Sequence, residues 1–137
     1  MAPGRALVAF LEPTDLRAWW GVERALVEPR TGGLYALAWG VTEAGFRYVS
    51  TGVVGEYHPA RVLRIDHYTY FNPDRQILGP MRLRLEAVPE GRHTRLDVLQ
   101  DGYRDGPDWD WYHDAVAAAW PVALEALEAH LAAHPGG

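Results

Sequence analysis

The chain is 137 residues long, 48% hydrophobic and 23% charged, with a formal net charge of −5. Those values describe a single globular domain spanning 1–137, and they argue against a disordered chain or a nucleic-acid binder, which normally shows a basic face. No apolar run reaches the length of about 18 residues that a membrane span needs, no signal peptide is expected at the start, and the absence of cysteine excludes disulfides, thiolate catalysis and cysteine-ligated zinc.

A soluble cytoplasmic protein is the default expectation. Every basic residue other than histidine is arginine, and Ser50 is the only serine. Schiff-base lysine chemistry and serine-nucleophile triads therefore have almost no raw material.

Residues 5–20 predict two short helices broken at Pro13, because the residue before proline is pushed out of the α region. Thr14 or Asp15 is available to cap the second helix, and Gly21, after Trp19-Trp20, suits its C-terminal end. From Val22 the texture changes to strands separated by turns. Val22–Glu28 leads into the turn 29–33, and Leu34–Val41 into a turn at Thr42–Gly45. Phe46–Tyr57 follows, with Gly52 marking a bulge or bend. After the turn 58–60 comes Val62–Phe71, and after the loop 72–80 come Met81–Val88 and Thr94–Asp101.

The last quarter, Asp108–His134, is the one long periodic helix. At about 100° per residue, Trp109, Tyr112, His113, Val116, Trp120, Ala123, Leu124, Leu127 and Leu131 fall on one arc. Pro121 lies inside it and removes the hydrogen bond to the Ala117 carbonyl, which predicts a kink and not an end. Strands joined by short loops are antiparallel, so the fold class is α+β: a curved antiparallel sheet of about six strands around one long helix.

That order resembles the helix-grip fold of the START and birch-pollen-allergen-like superfamily. In detail it is similar to the branch of small bacterial proteins like the C-terminal domain of the chaperone-ATPase activator. The residues that carry the resemblance are Trp19-Trp20-Gly21, Pro29-Arg30-Thr31-Gly32-Gly33, Gly52 with Glu56, His58-Pro59-Ala60-Arg61-Val62-Leu63, Thr94-Arg95-Leu96-Asp97-Val98 and Ala119-Trp120-Pro121 with Leu124 and Leu127. The chain departs from such domains in lacking their first strand, since only Met1–Gly4 precede the short helices. It also has His67 and Gln100 where relatives often carry an aromatic or another histidine.

With the sheet gripping the helix, period-two alternation assigns the inward faces. They are Tyr35, Leu37 and Trp39; Leu63, Ile65, His67 and Thr69; Met81, Leu83 and Leu85; and Leu96, Val98 and Gln100. The helix adds Trp109, Tyr112, His113, Val116 and Trp120. A mostly apolar lining with a few polar groups is the usual make-up of a small-molecule pocket, and His67, Gln100 and Tyr112 are its expected polar contacts. The bland reading is that these side chains fill a core and satisfy one another. No catalytic residue, metal or cofactor is assigned. Asp110, His113 and Asp114 stand at i, i+3 and i+4, but carboxylates at a helix N-terminus are more simply explained by the helix dipole. His130 and His134 are explained by the same dipole at the other end.

The expected function is binding of a small apolar or aromatic ligand. The resemblance also implies two alternatives: a cyclase- or aromatase-like enzyme using His67 and Tyr112, and a chaperone co-factor. A homodimer is expected from two features. One is a sheet edge left open beside Thr94–Asp101. The other is an outward stripe of Trp111, Ala115, Ala118 and Val122 on the long helix.

Overall fold

Proline opens each helix in the computed structural model, which describes residues 2–43 and 45–135. At that position its missing N–H is not needed and its fixed φ already suits the helix. Helix α1 (Pro3–Val8) and helix α2 (Pro13–Trp20) are separated where predicted: Glu12 is extended ahead of Pro13. Gly21 ends α2 in the left-handed region at φ 69°, which lets the Val22 N–H return to the Leu16 carbonyl at 3.3 Å.

The expected side-chain cap from Thr14 or Asp15 is not made. Asp15 is drawn elsewhere. Its carboxylate accepts two bonds from Arg5 of α1, at 2.8 and 3.0 Å, and sits 2.7 Å from His130 Nε2.

The strands are β1 (Arg24–Val27), β2 (Leu34–Thr42), β3 (Gly45–His58), β4 (Val62–Phe71), β5 (Leu78–Glu90) and β6 (His93–Asp101). They form one sheet in sequence order, each antiparallel to the next. Of the predicted turn Thr42–Gly45, Ala44 lies outside the described residues, and Thr42 pairs with Gly45 across it. Gly52 marks an irregularity as expected: the register of β3 against β4 shifts between Thr51 and Val53. A Cβ there would lie 2.9 Å from the Asp66 carbonyl oxygen, so only glycine lets the two backbones come this close.

The extra residue lies on β4, where Asp66 and Thr69, three steps apart, pair with Val53 and Thr51, two steps apart; its effect on that strand was not foreseen, and it moves the site. On β4, Ile65 pairs with Leu83 but Tyr68 pairs with Met81. Three steps along one strand therefore match two along the other, which is a bulge of one extra residue. His67 takes it up at φ 54°, in the left-handed region. Beyond this point every side chain changes face.

Helix α3 (Pro107–Ala133) runs across the sheet and continues through Pro121 as one helix. Its N-cap is Gly106, with no side-chain cap. The Asp108 carboxylate instead accepts from the Gln76 N–H at 3.0 Å and the Arg75 guanidinium at 3.1 Å, tying the β4–β5 loop to the helix start.

The space between sheet and α3 is filled at one end. There α1 packs against β5 and β6, and α2 against β1 and α3. Leu7, Phe10, Leu16, Tyr35, Leu37, Leu63 and Leu85 are wholly or almost wholly buried, with Leu127 and Leu131 of α3 closing the cluster. Full burial of each such side chain contributes about 1.5–3 kcal/mol. The buried polar atoms of this end are answered locally. Tyr35 Oη donates to the Phe10 carbonyl at 2.8 Å and Trp19 Nε1 to the Ala9 carbonyl at 2.9 Å.

Candidate small-molecule cleft

At the other end the sheet and α3 do not close. A cleft of about 520 Å³ opens between them. Its floor comes from inward positions of the sheet: Trp39 on β2, Tyr48 and Ser50 on β3, Tyr68 and Tyr70 on β4, and Gln100 on β6. Its roof is the first half of α3, where Trp111, Tyr112, Val116 and Trp120 alternate with Ala115, Ala119 and Ala123. The small alanines leave the room, and the rings define its walls. Trp20 from the end of α2, with Gly21, Glu23 and Gly40, completes the rim.

The rings are held by one another and by a few polar anchors. Trp39 Nε1 donates to the Trp20 carbonyl at 3.1 Å, using one of the carbonyls left over at the end of α2. Trp20 meets Trp39 edge-on and Trp120 at a tilt, both with centroids 5.5 Å apart, and stacks on Trp19 at 4.9 Å. Tyr70 lies 4.9 Å from Tyr112 and 6.5 Å from Trp111. The guanidinium of Arg75 stands 4.1 Å from the centre of the Trp111 ring while remaining paired with Asp108, an arrangement that steadies both groups.

Gln100 is the polar centre. Its carboxamide bonds to Tyr112 on one side, at 3.0 Å, and to Trp120 on the other, at 3.1 Å. Ser50, the only buried polar residue of the described core, lies on the floor. Burial pushes the Tyr68 phenol up to about 12, with its hydrogen-bond partner Ser50 pulling the other way. Burial raises Tyr112 further still, and it raises Tyr70 as well. These phenols are neutral at any physiological pH. Among the described residues Glu23 is the only formally charged side chain of the lining, and one of its oxygens accepts from the Gly40 N–H at 3.1 Å.

The expected site residues divide three ways. Trp39, Gln100, Tyr112, Val116 and Trp120 meet around the cleft. Tyr35, Leu37, Ile65, Leu83 and Trp109 are buried in the core, and Val98 packs against it half-buried. His67 and His113 are elsewhere. The bulge turns His67 out to the far face of the sheet, beside Asp66, Pro80 and Arg82, and puts Tyr68 in its place. Thr69 is displaced for the same reason, and its hydroxyl donates to the His67 carbonyl at 2.9 Å. His113 is exposed and meets the Tyr103 ring edge-on at 4.9 Å. Among the described residues no group of three acidic or histidine side chains is placed to hold a metal.

The arc drawn on α3 was too narrow. Leu127 and Leu131 lie deep on its core side, but Trp111 and Ala115, placed on an outward stripe, face the cleft. The helix is covered on two adjoining sides, one by the packed end and one by the cleft. Ala118 and Val122 are the members of the stripe that remain exposed. That removes one ground for a homodimer. The other stands, since β6 has β5 on one side and no described strand on the other. Tyr48, Ser50, Tyr68 and Tyr70 went unpredicted. The register Trp39↔Tyr48 and Leu37↔Ser50 shows that the inward face of β3 was open to the same alternation argument. The two tyrosines of β4 carried no such signal, because the bulge inverts their phase.

Comparison with known proteins agrees with this architecture. The model of a family described as Activator of Hsp90 ATPase homolog 1-like protein matches residues 4–132. A protein of Mesorhizobium loti is similar in structure at a TM-score of 0.71 and 22% identity, over 94% of this chain and 88% of that one. One from Chromobacterium violaceum has a TM-score of 0.66 and 26% identity, over 93% and 87%. The AHSA1 protein of Silicibacter pomeroyi has a TM-score of 0.71 and 21% identity, over 98% and 92%. No curated protein matches significantly.

Proposed function

Because the chain belongs to the Activator of Hsp90 ATPase homolog 1-like family, a helix-grip family, we propose that it binds a small apolar or aromatic molecule in the cleft between β2–β4, β6 and the first half of α3. The observation that carries this reading is the contrast in lining. One end of the interior is filled mainly by aliphatic side chains, with an aliphatic groove of about 550 Å³ left between β6 and the end of α3, while the other keeps about 520 Å³ walled by tryptophan and tyrosine rings with alanines between them. A few convergent polar groups in an apolar cleft are the ordinary make-up of a ligand site.

The cyclase-like alternative built on His67 and Tyr112 loses its pairing, because those two side chains lie on opposite sides of the sheet. Native mass spectrometry of the purified protein tests the proposal. The expected result is an excess mass of a few hundred daltons at most, retained under gentle conditions and lost on denaturation. Failure to retain any molecule, together with no quenching of tryptophan fluorescence by 2-ethylnaphthalene, would sink it.

A further inference from the structure

The hydrogen bonds around Gln100 specify which polar group of a ligand the cleft addresses. An indole N–H can only donate. Trp120 Nε1, 3.1 Å away, therefore requires the carboxamide oxygen of Gln100 on its side. The amide nitrogen is then turned to Tyr112 and donates to its hydroxyl oxygen at 3.0 Å, with Met81 Sδ at 3.7 Å. An amide nitrogen does not accept. The phenol oxygen is thus the acceptor, and its own hydrogen is left to serve another partner. No hydrogen bond from it to a described residue is made, although Tyr112 is only 6% exposed and lines the cleft. That hydrogen is directed to the cleft, where a ligand acceptor can take the place of water.

The charge of the lining narrows the class. Among the described residues no arginine or histidine lines the cleft and Glu23 is its one formal charge; the nearby Arg75 is stacked on Trp111 and already paired with Asp108. A carboxylate or phosphate entering it would give up its hydration without meeting a cation that is not already paired. The rings, in contrast, offer faces and edges to a flat apolar body.

We propose that the ligand is an uncharged aromatic compound bearing a carbonyl-type oxygen, seated among Trp20, Tyr70 and Trp120 with that oxygen accepting from the Tyr112 hydroxyl. This rests on the small-molecule reading of the cleft and makes it specific. Burial keeps the phenol protonated, so the donor persists across the physiological range of pH. Gln100 acts on the ligand through Tyr112, orienting its hydroxyl by occupying its oxygen, and the Trp120 N–H fixes the carboxamide in the orientation that does so.

Three probes of one ring system test this by quenching of tryptophan fluorescence: 2-acetylnaphthalene, 2-ethylnaphthalene and 2-naphthoate at pH 7. The wild type should bind the ketone about five- to tenfold more tightly than the hydrocarbon, the gain of one net hydrogen bond. The carboxylate should bind at least about tenfold more weakly than the ketone. In Tyr112→Phe the ketone's advantage should fall to within about twofold while the hydrocarbon binds as before, which also shows that the variant is folded. If that variant does not fold, the ranking on the wild type decides alone. Equal affinity of wild type for ketone and hydrocarbon, or a preference for the carboxylate, overturns the inference and leaves the small-molecule reading standing. Binding of none of the three overturns both.

Discussion

The two ends of the space between sheet and α3 use the same elements and reach opposite results. At the closed end, α1, α2 and the turn between them push Leu7, Phe10, Leu16 and Trp19 in against Tyr35, Leu63 and Leu85, and aliphatic side chains of α3 fit between them. At the open end no third layer arrives. The rings of Trp20, Trp39 and Trp120 are braced against one another, and the alanines of α3 are too short to fill what remains. Packing and vacancy on one sheet are therefore decided by what else reaches the concave face. Shape-adaptable leucines consolidate a core, while rigid rings anchored through their N–H or O–H groups keep a space open.

The contrast predicts unequal costs for removing aromatic rings. Phe10→Ala at the closed end should lose about 3–5 kcal/mol in urea denaturation, as for a fully buried ring. Trp120→Ala, a larger deletion but at the half-buried rim, should lose less than about 2 kcal/mol. Equal losses would mean that the open end is packed as tightly as the closed one.

The closed end is also stapled by charge. The Arg5 and Asp15 side chains are only 8% and 13% exposed, so Asp15→Ala, which leaves the guanidinium with the His134 carbonyl but no counter-charge, should cost about 3 kcal/mol at pH 7. Hydrogen bonding from Arg5, against the opposing effect of burial and with help from His130, holds the Asp15 carboxyl below its ordinary 3.8. A carboxyl depressed in the folded state contributes stability that is fully present above its unfolded value and lost as pH falls through the folded one. The difference between wild type and Asp15→Asn, followed by thermal melting, should therefore be constant from pH 7 to about 5 and shrink below about 4. A difference that grew on acidification would show that Asp15 is not the ionised partner.

At the open end a substitution should change binding more than stability. Ala115→Leu places added bulk in free space, so stability should move by less than about 1 kcal/mol, with affinity for 2-acetylnaphthalene falling at least about tenfold. A stability loss of several kcal/mol would show that the space is filled. The smallest effect is expected at the rim. Arg75→Gln removes the guanidinium above Trp111 and its bond to Asp108, and should cost about 0.5–1 kcal/mol, reduced further in high salt.

Much of the fold was legible in the chain. Pro13, Gly21 and Gly52 each act on their own backbone, through a restricted φ, a left-handed cap and a close strand approach, so their effects appeared where expected. The strands between them followed from alternation and turn chemistry, and the long helix from its period. The candidate site was legible in part. Gln100, Tyr112 and Trp39 reached the cleft because their strands or helix kept the assumed phase.

The sequence by itself determined the elements, their order, their antiparallel neighbours and the family, because each depends on local backbone preference or on a period repeated over many residues. Tertiary structure alone decided which way the polar groups point. One extra residue between Ile65 and Tyr68 exchanged His67 for Tyr68 on the inner face; Gly52 on the facing strand marks the place of the irregularity but not that the extra residue is carried by β4. The rotation of α3 that brings Trp111 inside was likewise outside the reach of periodicity. A hydrophobic stripe shows which side of a helix avoids water, but not that a helix lying between a packed core and an open cleft has two such sides.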